Sequence, residues 1–194
     1  MIDIKDYRRA LSNFPTGVTI VTAFDGHQKP WGLTANSFTS VSLDPPIISV
    51  CVAKTGRVFK TLSESSRFAV NILAADQQDH ALHFASNVEN RFDGTPWNAN
   101  PEGSPLLPGA SAQLDCAVHA RIDAEDNEIL LGLVEDYTHQ DIAPLVYCRG
   151  TFFAAPQPEK PTLPIHLPFT KDTILTGLTR NIIYARVDQI TRKL

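Results

Sequence analysis

Apolar residues recur at Ile4, Tyr7, Leu11 and Phe14 with Lys5, Asp6, Arg8 and Arg9 between them. That period predicts an amphipathic helix over residues 3 to 13, which Pro15 ends. From 16 to 23 the side chains become β-branched and alternate, Asp25-Gly26 supplies a turn, and residues 31 to 36 resume an extended pattern. The two runs are predicted to pair as a hairpin. Asp44-Pro45-Pro46 lacks two consecutive N–H donors, so it is expected outside the sheet, redirecting the chain into a central strand over 47 to 53.

Residues 54 to 57 read as a turn into a short helical stretch with Val58, Phe59 and Leu62 on one side, and 68 to 73 as another strand. Asp76 is the predicted cap of a helix through Phe84 that uses Ala81 and Leu82. Pro, Gly and Asn leave no period from 93 to 110, which predicts a long surface loop. Ala112, Leu114, Cys116, Val118, Ala120 and Ile122 then alternate with polar positions, and only Ala117 breaks the pattern. With runs over 129 to 134 and 145 to 153, at least six strands and few helices favour an antiparallel barrel over a parallel sheet.

Pro156, Pro158, Pro161, Pro164 and Pro168 are too closely spaced for regular structure. The expected organisation is a main domain over 1 to 153, a Pro-rich linker or strap over 154 to 170, and a terminal segment over 171 to 194. Ile174, Leu175, Leu178, Ile182 and Ile183 suit that segment to a helix docked on this subunit or a neighbour.

Composition narrows the function. A chain of 194 residues with 43% hydrophobic and 20% charged residues can bury one sizeable core. A net charge of -4 without a Lys/Arg run argues against nucleic acid as a partner. The opening residues hold no apolar core of signal-peptide length and no long apolar run follows, so the chain reads as soluble and cytoplasmic, without a membrane partner. Cys51, Cys116 and Cys148 are odd in number and far apart, which disfavours disulfides and zinc ribbons; each sits in an apolar run and is expected to be buried. His80 and His83 are too few to hold a metal, and no metal is expected. Glycine-rich dinucleotide, P-loop and nucleophile-elbow motifs are all missing from the sequence.

Two stretches carry candidate chemistry. Thr34, Asn36, Ser37, Thr39, Ser40 and Ser42 crowd the bend between the apolar runs of residues 31 to 53. The bend is either a Ser/Thr-rich turn or the wall of a site for a planar heterocycle with polar edges, such as a flavin. Lys54, Thr55 and Arg57 around Gly56 form either a solvated turn or a phosphate cradle. Together the two features would hold a flavin nucleotide at both ends.

Four ordered motifs then match a family: FPTGVTIVT at 14 to 22, GLTANSFTSVSLDPP at 32 to 46, RFAVNIL at 67 to 73 and PLVYCRG at 144 to 150. With them the chain resembles the short-chain flavin reductases of two-component monooxygenases. The resemblance implies a mainly β fold, the FMN-binding split barrel, antiparallel and Greek-key-like. It also implies a homodimer with FMN or FAD, FMN favoured, in a groove near the subunit interface, and NADH or NADPH as substrate. By position, Pro30, Trp31, Gly32, Leu33 and Thr34, with Asn36 and Ser37, would line the ring and ribityl chain. Cys51, Val52 and Ala53 would meet the ring, Lys54, Arg57 and Val58 would sit near the phosphate, and Tyr147, Cys148, Arg149 and Gly150 would receive the nicotinamide nucleotide.

One departure bears on mechanism. Relatives commonly carry Gly-Asp-His where this chain has Glu125-Asp126-Asn127, which puts Asn127 at the position of a His associated with the nicotinamide side. Asn127 can hydrogen-bond an amide but cannot become cationic, and Glu125 replaces a residue free to take positive φ. The leading expectation is an NAD(P)H:flavin oxidoreductase that supplies reduced flavin to a partner monooxygenase. The alternatives are a split-barrel flavoprotein that retains its flavin and acts on a non-nicotinamide substrate, and a non-catalytic flavin-binding module whose strap and terminal segment form the contact surface.

Overall fold

A computed structural model describes residues 2–157. Among these residues ten strands form two antiparallel sheets: seven in the order β3 (Pro30–Ala35), β2 (Thr19–Phe24), β6 (Arg67–Ile72), β7 (Ala112–Ala124), β8 (Asn127–His139), β5 (Pro46–Ala53) and β4 (Thr39–Leu43), and three in the order β1 (Thr16–Gly17), β9 (Leu145–Cys148) and β10 (Thr151–Ala154). The consecutive strands β3 (Pro30–Ala35) and β4 (Thr39–Leu43) occupy opposite edges of the larger sheet, yet only residues 36 to 38 join them. So short a link spans no more than about 14 Å, so the sheet must curl until its two edges face each other. The result is an antiparallel barrel that stays open between β3 and β4.

Two cores fill it. Val21, Val50, Phe68, Cys116 and Leu130 pack inside the curl, and Val18, Ile20, Leu73, Phe84, Leu107 and Leu145 form a second cluster beneath α3 (Gln78–Ala85). β2 (Thr19–Phe24) supplies both, since its two faces are covered and its residues 19 to 23 are all buried. Burial inside the curl pushes the Cys116 thiol up to about 12, so it stays protonated and acts as a small hydrophobe. On the outside, Arg121 of β7 (Ala112–Ala124) donates to the carbonyls of Leu62 and Ser65, fixing the end of α2 (Phe59–Glu64).

Several expectations change. The bend contains an unforeseen edge strand, β4, and the two prolines are not both outside the sheet. Pro46 is the first residue of β5 (Pro46–Ala53), opposite Leu43, a position where the missing N–H costs nothing. The run 145 to 153 is two strands, β9 (Leu145–Cys148) and β10 (Thr151–Ala154), turned by Arg149 at φ 49 and Gly150 at φ 82. Loop 93 to 110 is not wholly superficial, because Ser104, Leu107 and Ala110 are buried and the Pro105 carbonyl accepts from Thr22 at 2.5 Å. Asp76 does not cap α3; Gln77 precedes it and instead ties Ala74 to Pro108.

The N-terminal helix α1 is Ile4–Leu11, capped by Asp3 and without a buried residue, which leaves Ile4, Tyr7, Leu11 and Phe14 exposed. Cys51 is exposed rather than buried, because it points outward from β5 while Val50 and Val52 point in. The terminal segment over 171 to 194, and the linker from residue 158 on, lie outside the described residues.

Candidate functional site

The opening between the barrel edges is a groove of about 230 Å³. Leu33 and Thr34 of β3 form one wall and Val52 and Ala53 of β5 the other. Gly56, Arg57, Val58 and Phe59 lead into α2 at its end, with Phe84, Ala85 and Arg91 opposite. These parts come from five separate stretches of chain.

β3 is an edge strand, so alternate residues show their N–H and C=O to the opening. The Gly32 carbonyl faces that way, for it accepts from Arg91 Nη1 at 2.9 Å. Thr34, two residues on, presents its own backbone pair to the same free edge. Its hydroxyl is engaged elsewhere, donating to the Ala81 carbonyl at 2.6 Å. The Ser37 hydroxyl accepts from Cys51 N–H at 2.9 Å and donates to Cys51 C=O at 3.1 Å, standing in for the ladder where β4 has not yet begun. The Ser37 hydroxyl thus ties the two edges and the Thr34 hydroxyl ties β3 to α3, and the β3 backbone is left to meet a ligand. Asn36 is exposed.

Gly32 is required by contact. A Cβ there would stand 2.8 Å from Phe84 Cε1 and 3.3 Å from Phe92 Cε2, both rings of the second core. Pro30, Trp31 and Gly32 do not line the groove itself. They line a smaller adjoining hollow that shares Arg57 and Arg91 with it.

Arg91 carries no signal in the periodicity, sitting in an irregular stretch among Asn and Asp, and only the folded chain brings it to Arg57. Its Nη2 donates to the Ser86 carbonyl at 2.7 Å, while its Nε is buried without a partner. Arg57 donates to the Asn87 carbonyl at 3.0 Å. Among the described residues neither guanidinium is in an ion pair. Burial first, then the Arg57 charge, pulls the Arg91 pKa below its ordinary value. Two cations that repel each other at the end of a partly apolar groove fit an anion, and a bidentate phosphate above all.

Lys54 does not join them. Its ammonium is 2.7 Å from Asp123 and 2.6 Å from the Glu125 carbonyl, across the β7–β8 turn, and that contact holds the Asp123 carboxyl below its usual range. The cradle read at Lys54-Thr55-Gly56-Arg57 is therefore replaced by Arg57 and Arg91. A helix of six residues adds little dipole of its own.

Asn127 opens β8 (Asn127–His139) opposite Ala53, one ladder step from the groove wall, and its amide donates to Asp126 at 2.7 Å. Glu125, in place of a glycine, still holds φ 57. An L-residue there is strained by about 1–2 kcal/mol. Glu125→Gly is expected to raise stability by ~0.5–1 kcal/mol after the added backbone entropy of the unfolded chain, a gain of about 2 °C in a thermal melt; a lower Tm would contradict it.

Tyr147, Cys148, Arg149 and Gly150 do not line the groove. Tyr147 packs on Phe152, with ring centroids 5.0 Å apart. The Cys148 thiol reaches the Ser12 carbonyl at 3.6 Å, and Arg149 Nε donates to Asn13 at 2.7 Å. His83 sits against the Arg91 carbonyl at 3.0 Å, and no cluster of metal-ligating side chains occurs among the described residues.

Residues 11–156 match the flavin reductase like domain family. The reductase subunit of stachydrine N-demethylase from Rhizobium meliloti is 42% identical over 154 residues, 79% of this chain and 67% of that protein. The reductase component of the flavin-dependent trigonelline monooxygenase of Acinetobacter baylyi is 42% identical over 150 residues, 77% of this chain and 48% of that one. The chain thus spans about half to two thirds of these relatives. Among solved structures, the NADH:FAD oxidoreductase of Streptomyces globisporus, in complex with NAD and FAD fragments, superimposes with a TM-score of 0.75 at 39% identity. That match covers 82% of this chain and 98% of the other.

Proposed function

The chain belongs to the flavin reductase like domain family, and from that premise we propose that it is an NAD(P)H:flavin oxidoreductase whose product, reduced FMN or FAD, is passed to a partner monooxygenase. The observation that carries the reading is the Arg57–Arg91 pair, in no ion pair among the described residues, at the end of a partly apolar groove between two sheet edges. The donor set fits a flavin nucleotide. Were a flavin nucleotide bound, Arg57 and Arg91 would hold its phosphate, and Leu33 and Val52 with the Thr34 and Ala53 backbone would line its ring.

A bound flavin supplies a ring that takes a hydride from a dihydronicotinamide and a proton from water, leaving the oxidised nicotinamide. The protein's share is to hold and to exclude. Val52, Val58 and Phe84 keep one side of the groove dry, against which a bound ring would be shielded from water. No side chain need act as acid or base at the first step, which fits a groove whose Thr34 hydroxyl is engaged by the Ala81 carbonyl. Asn127, beside Ala53, is our candidate for the nicotinamide carboxamide, as a neutral hydrogen-bonding group in the position of the family's imidazole.

The exposed apolar residues of α1 support a homodimer. The β9–β10 turn with Tyr147 to Gly150 lies off the groove of its own chain, which supports a role at the groove of a neighbouring copy. Purified protein is expected to oxidise NADH or NADPH only when FMN or FAD is added, measured anaerobically by loss of nicotinamide absorbance. Turnover no faster than the enzyme-free rate would overturn the assignment.

A further inference from the structure

Arg121 does not line the groove, yet its guanidinium grips the far end of the helix that the groove depends on. Its Nη2 donates to the Leu62 carbonyl at 2.6 Å and to the Ser65 carbonyl at 2.7 Å, acceptors of the kind a helix leaves open at its C-terminus. Its Nε stands 3.6 Å from Glu128 Oε1 of β8, and the two side chains are only 25% and 18% exposed.

α2 needs such help. It has six residues and no side-chain cap at Val58, and its charges oppose its dipole, with Lys60 in the first turn and Glu64 in the last. Burial of Val58 and Leu62 sets how deep the helix sits, but apolar contact is non-directional. Rotation and slide are fixed by hydrogen bonds: the two from Arg121, and one from the Ser65 hydroxyl to the Phe24 carbonyl at 3.0 Å. At the other end of α2 the Phe59 N–H donates to the Gly56 carbonyl at 3.0 Å, so Arg57 is carried by the same piece of chain.

We propose that Arg121 is a positioning residue for phosphate recognition: by gripping the C-terminal end of α2 it sets where Arg57 stands beside Arg91. Glu128 keeps the Arg121 guanidinium in place by charge. The proposal rests on the flavin reading of the main groove.

The test is a double-mutant cycle on the full chain, with dissociation constants of oxidised FMN and riboflavin measured by quenching of flavin fluorescence. Arg121→Met is expected to weaken FMN about five-fold while riboflavin stays within about 1.5-fold, and Arg121→Lys, which keeps the charge on a shorter stem without the planar fork, to weaken FMN about three-fold. In an Arg57→Gln background Arg121→Met is expected to add less than about 1.5-fold to the FMN loss, because the group it positions is gone. Equal losses for FMN and riboflavin, or the full five-fold loss on top of Arg57→Gln, would reduce Arg121 to general support of the fold and overturn the proposal while leaving the groove assignment standing. Should the methionine variant fail to fold, the lysine variant decides on the same two criteria. A wild type that binds neither flavin would instead overturn the groove assignment, and the proposal with it.

Discussion

Arg91→Met is expected to weaken FMN binding by about a hundred-fold while leaving riboflavin, which lacks the phosphate, nearly unchanged. A hydrogen bond to a charged group is worth about 1.5–3 kcal/mol, and the guanidinium offers a fork of such bonds where Arg57 alone offers one side. The comparison with riboflavin separates recognition from architecture, because Arg91 also donates to the carbonyls of Gly32 and Ser86. Losing those bonds loosens the 86 to 92 stretch and lowers affinity for both compounds. Losing phosphate recognition lowers it for one. In turnover the flavin KM is expected to rise while kcat at saturating flavin stays within about three-fold, since the guanidinium is remote from the reacting ring. Arg57→Gln, at a more exposed side chain with one backbone partner, is expected to repeat the pattern at about ten-fold. Equal losses for FMN and riboflavin in both variants would remove the pair from phosphate binding.

Gly132→Val is expected to cost the fold about 3 kcal/mol, a drop of about 6–12 °C in Tm. Gly132 lies on β8 opposite Val118 and Ile48, where the wall of the barrel passes over the buried ring of Phe68. A Cβ there would lie 2.5 Å from Phe68 Cζ and 3.0 Å from Cys116 Cβ, closer than side chains tolerate. Phe68 is fully buried among Val21, Val50 and Leu130, so the ring has no free space to move into. The variant then opens the barrel wall beside β5, and flavin affinity is expected to fall with stability. Gly132→Ala, with one methyl instead of three carbons, is expected to fall between, and a melt within about 1 °C of wild type for the valine variant would contradict the close packing.

Where side chains alternate against a single environment, the chain spelled out its own structure. β7 runs over Ala112–Ala124 as the alternation from 112 to 123 predicts, and its one broken position, Ala117, falls between two irregularities of register, at Asp115/Cys116 and Val118/Ala120. The hairpin of β2 with β3 was equally plain, because a β-branched run and a second extended run flank an Asp-Gly turn. Local pattern failed where a tertiary partner supplied what the residue lacked. Gln77 rather than Asp76 stands immediately before α3, and its amide bonds Ala74 N–H and the Pro108 carbonyl instead of capping the helix. Loop 93 to 110 has no period, yet Leu107 is buried because the second core has a place for it.

The site divides in the same way. The hydroxyl-rich bend, the Asp44-Pro45-Pro46 break and the strands on either side were legible as a group, since they are contiguous and their residue types are unusual together. Sequence order alone put the flavin-like motifs in line and joined them to a family. It could not tell which cations meet the phosphate: Lys54 is nearer in sequence but is drawn to Asp123, whereas Arg91 comes from 34 residues beyond Arg57 to stand beside it. Nor could it tell a hydroxyl that binds a ligand from one that ties two strands, as Ser37 does with Cys51. Periodicity records which face of an element is dry, and that is a local quantity. Which charges are left uncompensated depends on every element around them, and only the closed barrel decides it.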